Sequence, residues 1–372
     1  MAAVAAALAA AAAIAGVHQY GQVAISPKGD LIASVDSYDT AGRAKDPHGT
    51  VVVRRAADGA VVARLDPCAA CRYGDPTFSP DGTTLAFTAA APGRKGELVL
   101  ARAGQVVSTV AFDGLVAKPR FSPDGRTLAL LATAHPHKDS GATSPGAARV
   151  GDIDAAPDER RIAVVEGGQV RMVSPADRFV YEYDWTPDGR GFVATDAVGD
   201  GDDNFWVADL QAVDLASGAA RTIAHPGVQM NFPRVSPDGR TVAFIGGLMS
   251  DFPVVGGDLW SAPMAGGPAR DVTPGFKGSF SSLQWNKAGL FATALVGEKQ
   301  TLFAVGKDWT LKPLWADAAL VTAGDGRLAL SADGRRAAAT LQTFALAPRI
   351  VAGPVAAMVP ITHDNDALAA DN

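Results

Sequence analysis

Three short stretches of the chain carry residue types that could do chemistry. Asp200, Asp202, Asp203 and Asn204 form its densest acidic cluster. Carboxylates this close together can attract a peptide's terminal ammonium, or ligate calcium through alternating oxygens. The full twelve-residue calcium loop with its terminal glutamate is not present. Three readings stand for these four residues: a solvated turn, a contact to substrate or a neighbouring domain, and a metal site. His135, His137 and Asp139 surround Pro136 and have ligand-like spacing, but they read more simply as an ordinary loop. Cys68 and Cys71 are the only cysteines. With no second pair to complete a zinc site, they read as a structural loop pair, bonded if the protein is exported.

Nucleophilic hydrolysis has no visible machinery. No serine has glycine both two positions before and two positions after it, so the strand-turn-helix nucleophile elbow is missing. The six histidines sit near turns and loops, with no serine and acid partners identifiable. The expectation is no catalytic residue, no metal and no cofactor in this chain. Net charge is −6 and thinly spread, without a basic stripe, which argues against a nucleic-acid partner.

What must position any site is a repeat. Phe78, Ser79, Pro80, Asp81, Gly82 and the apolar run from Leu85 read as strand, tight turn, strand. The same pattern opens at Phe121, Trp185 and Val235, with weaker copies at Ile25, Trp285 and Leu330. Successive openings are 53, 43, 64, 50, 50 and 45 residues apart. Four short strands with their turns need roughly 40 residues, the period of a propeller blade. A second hairpin follows each first one, as in Val51–Arg54 with Val61–Leu65. Phe205 and Trp206 read as the opening of such a second hairpin.

The long interval has two readings. Ala156 to Glu159 mimics the turn and would add an eighth blade. The run from Arg161 to Val173 aligns with Leu259 to Val272, each ahead of a tryptophan-opened hairpin. That alignment makes roughly 132–158 an insertion within blade three, and the fold an all-β, seven-bladed β-propeller over 18–365. Eight blades is the second choice. No strand is lent across the closure, so packing between blades one and seven is expected to hold the ring. Trp185 and Trp285 are expected to pack between blades. Links between the two hairpins of a blade vary, and the long ones gather on one rim: 36–50, 132–158, 198–204 and 246–258. Long irregular loops on one face are where function usually sits.

Residues 1–17 are an alanine-rich apolar run without a positive start, which leaves a signal peptide and a plain helical lead-in both open. The run is short and weakly apolar for a membrane span. Location stays open between exported and cytoplasmic.

The hairpin sentence resembles the propeller repeats of TolB and of the prolyl oligopeptidase family of serine peptidases. The central segment, from Ser174 through Trp185 to Gly189, with Gly201 to Trp206 and Ile245 to Asp251, looks like bacterial dipeptidyl-aminopeptidase or acylaminoacyl-peptidase-type members. The resemblance covers only the family's N-terminal propeller. It implies peptide substrates, and an α/β-hydrolase domain carrying the catalytic triad beyond a linker starting at 366–372. Thr362, His363, Asp364 and Asn365 resemble the family's exit from the propeller. Family members that release dipeptides hold the substrate amine with paired glutamates; here only Glu182 near Asp184 stands in that region. The implied role is a noncatalytic propeller that screens peptides, and the alternative is a stand-alone TolB-like binding module.

Overall fold

The computed structural model describes residues 16–40, 47–93, 95–136, 158–199, 201–249, 254–321 and 327–371. They form seven antiparallel sheets, six of four strands. The seventh has its first strand in two pieces, Leu320–Val321 and Ala329–Leu330. First strands of successive blades approach one another, which makes them the inner strands of a ring. They are Val17–Ile25, Arg72–Phe78, Gly114–Phe121, Arg178–Trp185, Gln229–Val235, Ser279–Asn286 and the two pieces in blade seven.

Local chemistry makes the hairpins. In blade two the Gly82 amide donates to Ser79 O at 2.8 Å and the Ser79 amide to Thr84 O at 2.8 Å. The Ser79 hydroxyl donates to Asp81 and accepts from the Thr84 amide at 2.9 Å. Asp81 also accepts from the Thr83 amide, and these donors draw its carboxyl down to about 2. Gly82 takes φ +75°, the left-handed conformation that costs other residues energy. Ser122, Thr186, Ser236 and Ser331 repeat the hydroxyl-to-aspartate bond at 2.6–2.7 Å. The turns also interlock. A methyl group on Gly82 would lie 3.5 Å from Pro27, and one on Gly125 would lie 3.4 Å from Pro80 of the preceding blade. One motif therefore both closes a hairpin and seats the next blade.

Second strands are buried on both faces, as in Leu128–Ala134 and Thr241–Gly247, because neighbouring sheets cover them. Blade three settles the long interval. Arg160–Glu166 and Gln169–Met172 are its third and outer strands, so the eighth-blade reading of Ala156 to Glu159 falls. Residues 137–157 of the insertion, with His137 and Asp139, lie outside the described residues, as do 1–15. Phe205–Val207 does not open a hairpin. It is a 3-10 turn ahead of the third strand Asp209–Asp214, with Phe205 buried against Tyr181 and Trp206 exposed. Cys68 and Cys71 form a disulfide, and Trp185 packs on Phe192 at 4.3 Å.

Among the described residues no strand crosses the closure between blades one and seven. Packing is not alone there, however. Asn365 bonds both backbone groups of His18, the Tyr20 hydroxyl donates to Asp364 at 2.6 Å, and the Thr340 hydroxyl donates to Tyr20 O at 2.6 Å. The expected packing is present, with Tyr20, Val23 and Ile25 in one buried cluster with Ala329, Ala338 and Ile350, and the segment after the last strand adds a hydrogen-bonded bolt to it.

Candidate functional site

Four inner strands share a device. At Gln22 with Val23, Asp75 with Pro76, Lys118 with Pro119 and Phe232 with Pro233, two residues stand opposite one on the next strand. The first of each pair has φ between +48° and +53°. Such a bulge re-aims a side chain, and proline, lacking an amide donor, is tolerated there. Its sequence sign is Asp75-Pro76, Lys118-Pro119 and Phe232-Pro233, each three residues ahead of the turn serine or its equivalent. That sign went unread in the sequence.

The re-aimed and neighbouring side chains tie each inner strand to the next. Gln22 accepts from the Asp75 amide, and Asp75 accepts from the Lys118 amide at 2.9 Å. The Tyr183 hydroxyl donates to Lys118 O at 2.8 Å and the Trp185 indole to Arg120 O at 2.9 Å. Arg234 donates to Leu283 O at 3.0 Å and Gln284 to Leu328 O at 2.6 Å. Inner strands have one unpaired edge, and this belt satisfies part of it.

The belt's charged centre is Glu182, fully buried. It pairs with Lys118 and Arg120 of blade three, and with Arg234 of blade five at 3.3 Å. Arg234 also lies 3.6 Å from Asp184. Burial by itself would raise the Glu182 carboxyl, but Arg120, Lys118 and Arg234 overcome it and hold the group well below the usual range. Arg234 is pushed down by burial and by the nearby Arg120 cation. Three cations face two carboxylates here, a surplus of one positive charge. Blades one, two, six and seven complete the ring on the other side. A cavity of 230 Å³ opens there, lined among others by Ala24, Thr77, Gln284, Arg327 and Ala329.

The second feature is the rim of long links. Asp200 lies outside the described residues. Asp202 and Asp203 stand in a one-turn helix, Gly201–Asn204, where a loop was expected. The Asn204 side-chain Nδ2 donates to Val198 O at 2.6 Å and closes this turn, and the Tyr181 hydroxyl donates to Gly201 O at 2.7 Å. Beside it a charged row crosses blade four. Arg178 meets Asp196 at 2.5 Å and Asp209 at 3.5 Å, and His225 meets Asp209 at 2.8 Å. Burial pushes the Asp196 carboxyl up against the pull of Arg178. Tyr38, Val198, Trp206, Leu248, Val254 and Phe344 are exposed, and all stand in or beside links of this rim. Sequence reasoning found the rim but not this apolar row, because burial is decided by neighbours in space.

The described histidines have non-serine partners. His48, His225 and His363 meet Asp66, Asp209 and Asp366, His135 lies 3.6 Å from Asp113, and His18 packs on Tyr38. Among the described residues, no group of three or more His, Cys, Asp or Glu side chains is arranged to hold a metal ion. No described helix is long and apolar enough to cross a membrane.

No family model matches the sequence, and no curated protein matches it. Solved structures do. An acylaminoacyl peptidase in complex with Z-Gly-Gly-Phe-chloromethyl ketone aligns with a TM-score of 0.66 and 11% identity, over 95% of this chain and 54% of that one. The β-propeller domain of the Trilobed protease from Pyrococcus furiosus, described as an open velcro, aligns with a TM-score of 0.63 and 12% identity, over 94% and 99%. An oligogalacturonate lyase in complex with manganese aligns with a TM-score of 0.61 and 15% identity, over 94% and 85%. The chain spans about half the length of the acylaminoacyl peptidase it matches. At these identities the likeness establishes a fold: a seven-bladed propeller similar to the propeller domains of acylaminoacyl and prolyl peptidases.

Proposed function

We propose that this chain is the noncatalytic propeller of a prolyl-oligopeptidase-family serine peptidase, admitting peptides to an α/β-hydrolase domain seated on the long-link rim. The observation that carries the reading is the apolar row on that rim. Trp206, Leu248 and Phe344 are 67%, 98% and 111% exposed, and they come from blades four, five and seven. Large apolar groups gathered on one face of a folded ring mark an interaction surface. The rim also carries the start of the first inner strand at Val17 and the segment that bolts it, 362–365. The belt around Glu182 makes the inner strands rigid, which suits a passage that selects by size.

The assignment of Asp200, Asp202, Asp203 and Asn204 to substrate or interdomain contact belongs to this proposal, since their link lies on the same rim. A stand-alone module that binds another protein would use the same face. The reading frame after the last codon discriminates: a continuing frame encoding Gly-x-Ser-x-Gly supports the peptidase reading, and a stop followed by an unrelated gene favours the module.

The direct test has two arms. Purified residues 1–372 are expected to show no turnover of aminoacyl or peptidyl chromogenic substrates and no labelling by a serine-directed fluorophosphonate. A separately expressed hydrolase domain from the continuing frame is expected to bind, and Trp206→Asp to weaken binding about tenfold or more. Labelling at a single serine with turnover would overturn the first arm; undiminished binding by Trp206→Asp would overturn the second.

A further inference from the structure

The seven outer strands differ in how they guard their free edges. A strand that ends its sheet offers unpaired amides and carbonyls to any other strand, so proteins shorten such edges or place charges and proline on them. Arg270–Asp271 and Val359–Pro360 have two residues each. Val61–Leu65 carries Arg64, Gln169–Met172 carries Arg171, and Ala220–Ala224 carries Arg221. Leu311–Asp317 carries Lys312 and Pro313. The outer strand of blade two, Gln105–Phe112, is eight residues long and holds no charge, no proline and no glycine.

That strand is terminal in its sheet among the described residues, and Gln105 through Thr109 are exposed. A bulge at Val107 interrupts its pairing with the third strand, but Ser108 to Phe112 keep regular register opposite Leu100 to Gly96. Val106 and Val107 are 39% and 53% exposed, and Val61 and Val62 on the blade-one outer strand are 44% and 51% exposed. The turn at Ala103 and Gly104 rests on Ala63 and Val62, so blades one and two are joined there.

We propose that Ser108 to Phe112 is a pairing edge for a second copy of this chain, joined antiparallel about a two-fold axis into one eight-stranded sheet. The occupant follows from charge. A strand meeting its own copy about a two-fold places like residues opposite or diagonal to like. An outer strand bearing Arg64, Arg171 or Arg221 would set cation near cation; Gln105–Phe112 sets none. Ser108 and Thr109 bring hydroxyls that pair well across strands, with Val and Phe on the same short run.

Sedimentation of residues 1–372 over a concentration series tests this. The unsubstituted chain is expected to move from monomer to dimer as concentration rises into the tens of micromolar, about 6–7 kcal/mol of association. Thr109→Lys and Thr109→Glu, each on an exposed position, are expected to stay monomeric alone, with unchanged circular dichroism. Their equal mixture is expected to recover the dimer, because opposite charges then face each other across the joint. A chain that stays monomeric to about 100 µM overturns the proposal. So does a Thr109→Lys chain that still dimerises, or a mixture that remains monomeric. Should one variant lose its native circular dichroism, the other and the unsubstituted chain still decide it.

Discussion

The carboxamide of Asn365 bonds both backbone groups of His18. Its Nδ2 donates to His18 O at 2.8 Å, and its Oδ1 accepts from the His18 amide at 2.9 Å. The same Nδ2 also donates to Pro348 O at 2.7 Å, just ahead of the third strand of blade seven, Arg349–Pro354. One buried side chain thus joins the two blades as a strand would, where no described strand is shared between them. It joins the first inner strand to the last blade across 347 positions of sequence.

Asn365→Ala is expected to destabilise the fold by about 2–4 kcal/mol, since two part-buried backbone groups of His18 and the buried Pro348 carbonyl lose partners at once. Asn365→Asp should cost a similar amount, because a carboxylate cannot donate to either carbonyl. Denaturant unfolding reads the cost, and hydrogen exchange reads its place: amides of Val17–Ile25 should lose protection first. Equal protection loss in all seven blades would remove the bolt assignment.

Glu182→Gln is expected to cost about 3–5 kcal/mol, because Lys118, Arg120 and Arg234 are left around a neutral group. The pH dependence has a definite sign. The folded carboxyl titrates well below its ordinary value of 4.5. Its stabilisation is therefore complete above pH 4.5 and is lost as pH falls towards the folded value. The gap in thermal midpoint between wild type and Glu182→Gln should narrow from pH 5 to pH 3, read by calorimetry. A gap that is constant over that range counts against the assignment.

Gly59 and Gly239 separate backbone strain from steric contact. Both are left-handed, at φ +71° and +73°. A methyl group on Gly239 meets nothing within 4 Å, whereas one on Gly59 would lie 1.9 Å from Ile361 O. Gly239→Ala is expected to cost about 1–2 kcal/mol. Gly59→Ala should cost at least about 1 kcal/mol more, since it displaces the segment that leads to Asn365. Equal costs in denaturant unfolding would mean that Ile361 moves aside freely.

The repeat was legible in the sequence because its chemistry is local. Ser79, Asp81, Gly82 and Thr84 bond within six residues of one another, and five further turns reuse most of those bonds. Counting those six turns and the weaker copy at Trp285 gave seven blades, and alternating long and short links gave a rim. Phe205 and Trp206 were misread because a strand and a short 3-10 turn look alike over two aromatic residues; burial of Phe205 against Tyr181 decided it.

Tertiary structure alone decided the belt and the bolt. Lys118 and Arg120 lie 64 and 62 positions from Glu182, Arg234 lies 52 positions from it, and no spacing along one strand predicts that they meet. Packing of the consecutive blades three, four and five brings their inner strands around one buried carboxylate. His18 and Asn365 become neighbours by ring closure: their bond exists only when the seventh blade has come round to the first. Sequence sets what each hairpin is, through bonds that form within a turn; which side chains share a buried charge is set by how neighbouring blades pack, and the bolt by how the last blade meets the first.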